Sequence, residues 1–146
     1  MNPQHIAKQS IIINAPVAKV WDALVTPEII KHYLFGTNVA SDWEEGSPIT
    51  WSGEWQGKSY VDKGVILKVE KPKLLRYTHF SPLSGVPDKP ENYHTVTIQL
   101  DDMKTSVVLS LSQDNNPTEE AREHSESNWK MVLEGLKRFV ENHVAG

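Results

Sequence analysis

The chain has 146 residues, the length of one ordinary domain whose core needs neither disulfide nor metal; without a cysteine it excludes disulfides, thiolate metal sites and a cysteine nucleophile. Fifteen basic against nineteen acidic residues give a formal charge of −4, without the basic footprint of a nucleic-acid or anionic-membrane binder. A hydrophobic content of 38% with five tryptophans excludes a disordered chain. No apolar run approaches the roughly 20 residues that span a bilayer, and the start MNPQHIAKQSIII lacks the basic-then-apolar order of a secretion signal. The expectation is a soluble, cytoplasmic protein in which residues 1–146 form a single domain.

In chain order, the β-branched run Ile6 to Ile13 predicts a strand closed by Asn14-Ala15-Pro16. Val17, Val20, Trp21 and Leu24 then fall on one face of a helix, with Pro16 suited to its first turn. Thr26 before Pro27-Glu28 predicts a capped second helix that carries Ile29, Ile30 and Tyr33 and stops near Leu34-Phe35-Gly36. From Thr37 to Gln113 the period is nearly always two. Ile49 and Trp51 alternate with polar residues, and Ser52-Gly53 opens a turn-rich stretch through Trp55-Gln56-Gly57. Tyr60 to Val69 predicts a longer strand in which Gly64 marks a bulge or a close approach, ended by Lys71-Pro72-Lys73. Leu75, Tyr77 and His79 share one strand face. His94, Val96, Ile98 and Leu100 repeat the alternation, as do Val107, Leu109 and Leu111. Asp101-Asp102 before Met103-Lys104 predicts a tight hairpin between the last two strands. One apolar face per strand predicts an antiparallel sheet with one wet side. Asn116-Pro117-Thr118-Glu119 predicts the capped start of a long final helix that runs to about His143, with Trp129, Val132, Leu133, Leu136 and Val140 as its apolar stripe.

Two stretches break the regular pattern. Ser81 to Asn92 is a long connection with three prolines, the kind of segment that serves as a lid or binding loop. The final helix is apolar only in its second half: its face, extended backward from Trp129, reaches Ser125 and then Ala121 or Arg122. Either this end faces a gap between helix and sheet, or it is a solvated, frayed start.

The stretch IIINAPVAKVWDALVTPEIIKHYLFG resembles the opening signature of the START/Bet v 1-like (SRPBCC) superfamily, and within it the stand-alone domains related to the C-terminal domain of the heat-shock-protein-90 ATPase activator. Ala15-Pro16, Val20-Trp21, Leu24 and Thr26-Pro27-Glu28 carry the match, followed by Gly64, Ile66, Leu67, Val69, Pro72 and Leu75 to His79, then Asn128-Trp129, Leu133 and Leu136-Lys137. Tyr33 and His79 stand where tryptophan is frequent in such proteins. The resemblance implies a helix-grip α+β fold: a curved antiparallel sheet of six or seven strands wrapped on the C-terminal helix, with two short helices after the first strand. It also implies an elongated cavity for apolar ligands such as lipids, sterols or polyketide-like aromatics. Some members are cyclases or hydrolases.

Within that frame, Trp51, Tyr60, Tyr77 and Trp129 offer ring faces for a guest, Val96 and Val132 apolar wall, and Ser125 a hydroxyl. His79 and His94 place imidazoles on apolar strand faces, either as polar groups of a pocket or as strand-end residues touching water. Neither shows a carboxylate at a spacing that suggests an orienting partner. Trp43 and Trp55, among acidic residues in turn-rich segments, read as rim or partner contacts or as isolated exposed rings. The histidines at 5, 32, 79, 94, 124 and 143 lack metal-ligand spacing, and Ser81, Ser84 and Ser110 have no evident helper. The expectation is a binding protein for a hydrophobic small molecule, with no cofactor, metal, nucleic acid or membrane span. Its rivals are a protein-interaction module of chaperone-activator type and, behind it, a cyclase or hydrolase using the pocket histidines.

Overall fold

The computed structural model describes residues 5–82 and 85–142. Leu83 and Ser84 of the long connection and His143 at the expected helix end lie outside these residues, as does the side chain of Trp55. The opening run forms β1 (Ala7–Ile13), followed by α1 (Val17–Val25) and α2 (Pro27–Tyr33). Then come β2 (Asn38–Ser41), β3 (Pro48–Trp55), β4 (Lys58–Glu70), β5 (Leu74–His79), β6 (His94–Asp102) and β7 (Val107–Gln113), and finally α3 (Glu119–Asn142). The seven strands make one sheet in the order β1-β7-β6-β5-β4-β3-β2, every pair antiparallel. The helices α1 and α2 therefore carry the chain from one edge of the sheet to the other. The sheet curves around α3 in a helix-grip α+β fold.

Gly64 accounts for part of the bend. A Cβ there would sit 1.7 Å from the Thr78 carbonyl oxygen, so β4 presses on β5 with no room for a side chain. Just beyond, the β4–β5 register slips between Ile66 and Lys68, the extra residue that sharpens a strand's twist. The turn before β4 is narrower than the sequence suggests: Ser52 and Gly53 belong to β3, and only Gln56-Gly57, both at positive φ, form the hairpin turn.

The caps also differ in detail. Thr26 makes no side-chain cap on α2; its carbonyl receives the N–H groups of Ile29 and Ile30. The stop near Gly36 holds, since its N–H donates to the Lys31 carbonyl at 3.0 Å. The cap of α3 is Thr118, whose Oγ1 accepts the Ala121 N–H at 3.0 Å. Asn116 is instead buried, and its amide donates to the carbonyls of His5 at 2.7 Å and Gln113 at 3.1 Å. Its Oδ1, the atom a cap would use, instead accepts the Ser125 hydroxyl at 2.9 Å.

At 1.5 Å per residue α3 is about 36 Å long. Val132, Leu133, Leu136 and Val140 join Ile13, Leu75 and Leu109 of the sheet and Val20, Trp21 and Leu24 of α1 in one core. Along β1 the helix is held by polar straps. The Lys8 and Asn14 N–H groups donate to the carboxylates of Glu126 and Glu141 at 2.9 and 2.8 Å, and the Lys137 ammonium donates to the Ile12 carbonyl at 2.7 Å. Three backbone groups along this edge strand are thus satisfied by helix side chains.

Gly64→Ala is expected to destabilise the protein by about 3 kcal/mol or more in chemical denaturation, because the new methyl collides with backbone, which cannot swing aside. The straps carry an acid sensitivity. The Lys8 N–H first, with Arg122 beside it, holds the Glu126 carboxyl below its usual value of 4.5, and the Lys137 ammonium with the Asn14 N–H does the same for Glu141. A depressed folded pKa adds stability that is present above the unfolded value and is lost as pH falls through the folded one. Carboxyl NMR titration should therefore find both groups below 4.5, with α3–β1 amide exchange rising as they protonate.

Candidate functional site

A cavity of about 510 Å³ lies between the inner face of the sheet and α3. Ile49, Leu75, Ile98 and Leu111 form its floor, Leu24 and Ile30 close one end, and Leu133 and Leu136 line it from the helix. The leading turns of α3 front it with Ser125, and with His124 and Asn128 at the exposed rim. The polar face of the helix start thus borders the gap. The front stands off the sheet on hydrogen bonds: Trp129 Nε1 donates to Gln113 Oε1 at 2.7 Å, and Ser125 Oγ donates to Asn116 Oδ1 at 2.9 Å.

All nine residues singled out in the sequence line this cavity: Trp51, Tyr60, Tyr77, His79, His94, Val96, Ser125, Trp129 and Val132. Strand alternation places most of them, because every second residue of β3 to β6 faces α3. The Trp51 ring lies 5.3 Å from that of Tyr77 and 4.9 Å, edge-on, from that of His79. The Tyr60 hydroxyl shares a 2.7 Å hydrogen bond with Thr37. Burial pushes the phenols of Tyr33 and Tyr77 far above their usual range, so both stay neutral, and Tyr33 donates to the Ala23 carbonyl at 2.8 Å.

His79 and His94 form a direct cross-strand pair, because the long connection joins neighbouring strands. Their rings stack at 6.3 Å. His94 Nδ1 lies 2.9 Å from the Asp114 carbonyl, and since a carbonyl only accepts, that nitrogen carries the proton. Sequence spacing suggests no carboxylate partner for either histidine, but the fold supplies one to His79. His79 Nε2 lies 3.0 Å from Asp62 Oδ2, and the Asp62 side chain is only 17% exposed. Asp62 Oδ1 is buried without a hydrogen-bond partner. The period-two signal already held this residue: Tyr60, Asp62 and Gly64 alternate with exposed Val61, Lys63 and Val65.

Two other expectations change. Trp43 is half-buried, not an isolated exposed ring: it packs against the core and lines the cavity. Of the described residues from 81 to 92, only Ser81 borders the cavity. The rest is tied to the sheet outside it: Asp88 pairs with the Lys63 ammonium and accepts the Tyr93 hydroxyl at 2.6 Å, and Asn115 donates to the Glu91 carbonyl at 2.7 Å. Among the described residues no group of three or more His, Cys, Asp or Glu is placed to hold a metal ion, and no helix is long and apolar enough to cross a membrane.

This architecture is that of the START/Bet v 1-like superfamily. A model of the family described as Activator of Hsp90 ATPase homolog 1-like protein matches residues 14–141, and the chain belongs to that family. The solution structure of ChR145 from Cytophaga hutchinsonii is 57% identical over 100% of both chains, with a TM-score of 0.87. Two more distant structures share the fold. The Aha1 dimer from Colwellia psychrerythraea is 19% identical over 93% of this chain and 96% of that one, with a TM-score of 0.72. Ara h 8.0201 is 12% identical over 95% and 99%, with a TM-score of 0.73. No curated protein matches the chain.

Asn116→Ala leaves two carbonyls without donors and is expected to cost about 1–3 kcal/mol. Amide exchange should rise over the front of α3, from Glu119 to Trp129, while Leu133 to Val140 stay protected.

Proposed function

We propose that this protein binds an apolar or aromatic small molecule, of lipid, sterol or polyketide-like character, in the cavity between the sheet and α3, and that it does so without catalysis. The observation that carries this reading is the space itself. A volume of about 510 Å³ is within the range of small-molecule sites. A well-packed interior leaves few voids larger than a water molecule. Trp51, Tyr77 and Trp129 would supply ring faces, and Val96, Val132 and the floor of the sheet apolar wall. Tyr60, His79, His94 and Ser125 would orient the guest from one end. A guest that buries about 300 Å² of apolar surface gains about 7 kcal/mol before the costs of association, enough for micromolar binding at best.

Titration with a panel of lipids, sterols and flavonoids, followed by amide shifts, is expected to move Val96, Trp129 and Val132. Silence across the panel counts against the proposal. Val96→Phe, which fills the cavity floor, is expected to weaken binding at least about tenfold with the amide spectrum otherwise native.

The family's description favours a second reading, in which the domain docks on a chaperone. Trp43 is a poor contact for it, because the ring faces inward. The exposed Val61, Val65 and Leu67 on the outer face of β4 are the better candidates. Val65→Lys is expected to leave small-molecule binding intact. Loss of chaperone capture in a pull-down with that variant would move the case to surface recognition.

A further inference from the structure

The polar end of the cavity is unbalanced in its hydrogen-bonding character. Asp62 offers a carboxylate with one oxygen on His79 Nε2 and the other buried without a donor. Because Asp62 accepts from Nε2, the neutral His79 ring keeps its lone pair on Nδ1. Because His94 donates from Nδ1 to the Asp114 carbonyl, its lone pair is on Nε2. The cluster on β4, β5 and β6 thus presents acceptors. Several neighbouring donors are engaged within the protein, Trp129 on Gln113, Ser125 on Asn116, and the hydroxyls of Thr37 and Tyr60 on each other, which leaves the neutral Trp51 N–H and Tyr77 hydroxyl beside the cluster. Charge points the same way. The described residues that line the cavity include the carboxylates Glu54 and Asp62 but no lysine or arginine.

A carboxylate head group brought to this end would meet like charge and lone pairs while losing its own hydration, an arrangement that rejects a ligand rather than binding it. A hydroxyl, phenol or ammonium would meet unpaired acceptors, and a small rotation of the Asp62 carboxylate would give its buried oxygen the donor it lacks. Trp51, edge-on to His79, places a ring beside the same spot and suits a head group attached to an aromatic body.

We infer that the Asp62–His79–His94 end of the cavity selects guests whose head group donates hydrogen bonds and carries no negative charge, and that it excludes fatty-acid-like carboxylates. This rests on the guest-cavity reading above and sharpens it: the class narrows to hydroxylated or amino-bearing apolar molecules.

The test uses three probes that share one octylphenyl body, namely 4-octylphenol, 4-octylbenzylamine and 4-octylbenzoate, titrated below their aggregation limits at pH 7.5 and followed by amide shifts and tryptophan fluorescence. The phenol and the amine are expected to bind at least about tenfold more tightly than the benzoate. In Asp62→Asn, which exchanges an acceptor oxygen for a donor amide, the benzoate should gain and the amine should lose affinity, each by about tenfold. The variant's fold is checked by its amide spectrum, and the wild-type comparison stands without it. Benzoate binding as tight as that of the phenol overturns the head-group rule and leaves the guest cavity intact. Silence from all three probes overturns both. Equal affinities of all three probes for Asp62→Asn and wild type, with both folded, also overturn the rule.

Discussion

A straight helix laid along a curved sheet can pack closely over only part of its length. The rest of this structure depends on that mismatch. From Val132 onward α3 is apolar: Val132, Leu133 and Leu136 join the core and border the cavity, and Val140 belongs to the core beyond it. Ahead of Trp129 the helix face is polar, and the separation is kept by hydrogen bonds through Gln113 and Asn116. Collapse of the front onto the sheet would strip those groups of their partners without offering apolar surface in return, so the gap is stable as a gap. The curvature has its own local causes, in a glycine that lets β4 touch β5 and in a register slip two residues later.

The polar end of the cavity is a product of the same geometry. β5 and β6 are neighbours, so His79 and His94 fall opposite each other and their rings stack. β4 runs beside β5, and its inward alternation places Asp62 against His79. Three consecutive strands therefore deliver one titratable residue each to a single spot, at the end where the helix face is polar. The apolar end receives α1 and α2 instead, whose Leu24, Ile30 and Tyr33 close it. A cavity polar at one end and apolar at the other follows from which elements reach each end.

Much of this was legible in the sequence. Period-two alternation marked the strand faces, and the stripe from Trp129 to Val140 marked the helix. The polar residues ahead of Trp129 set that end apart, as either the border of a gap or a solvated start. What stayed hidden was pairing at a distance. Asp62 was visible as an inward residue but not as a partner of His79, because that contact depends on which strand lies beside which. Trp43 was hidden for another reason: the backbone at positive φ turns its ring inward from an acidic, turn-rich stretch that reads as surface. The start of α3 was misplaced because Asn116 and Thr118 are both good caps by composition, and only the tertiary demand of the His5 and Gln113 carbonyls and the Ser125 hydroxyl decides between them.

The way α3 satisfies β1 bears on self-association. Open β-sheets tend to grow by recruiting a foreign strand, and the recruit needs a row of free amides and carbonyls. On one flank of this sheet Glu126, Lys137 and Glu141 already occupy such groups, and on the other the last strand offers four residues. Neither flank is a long template for cross-β propagation.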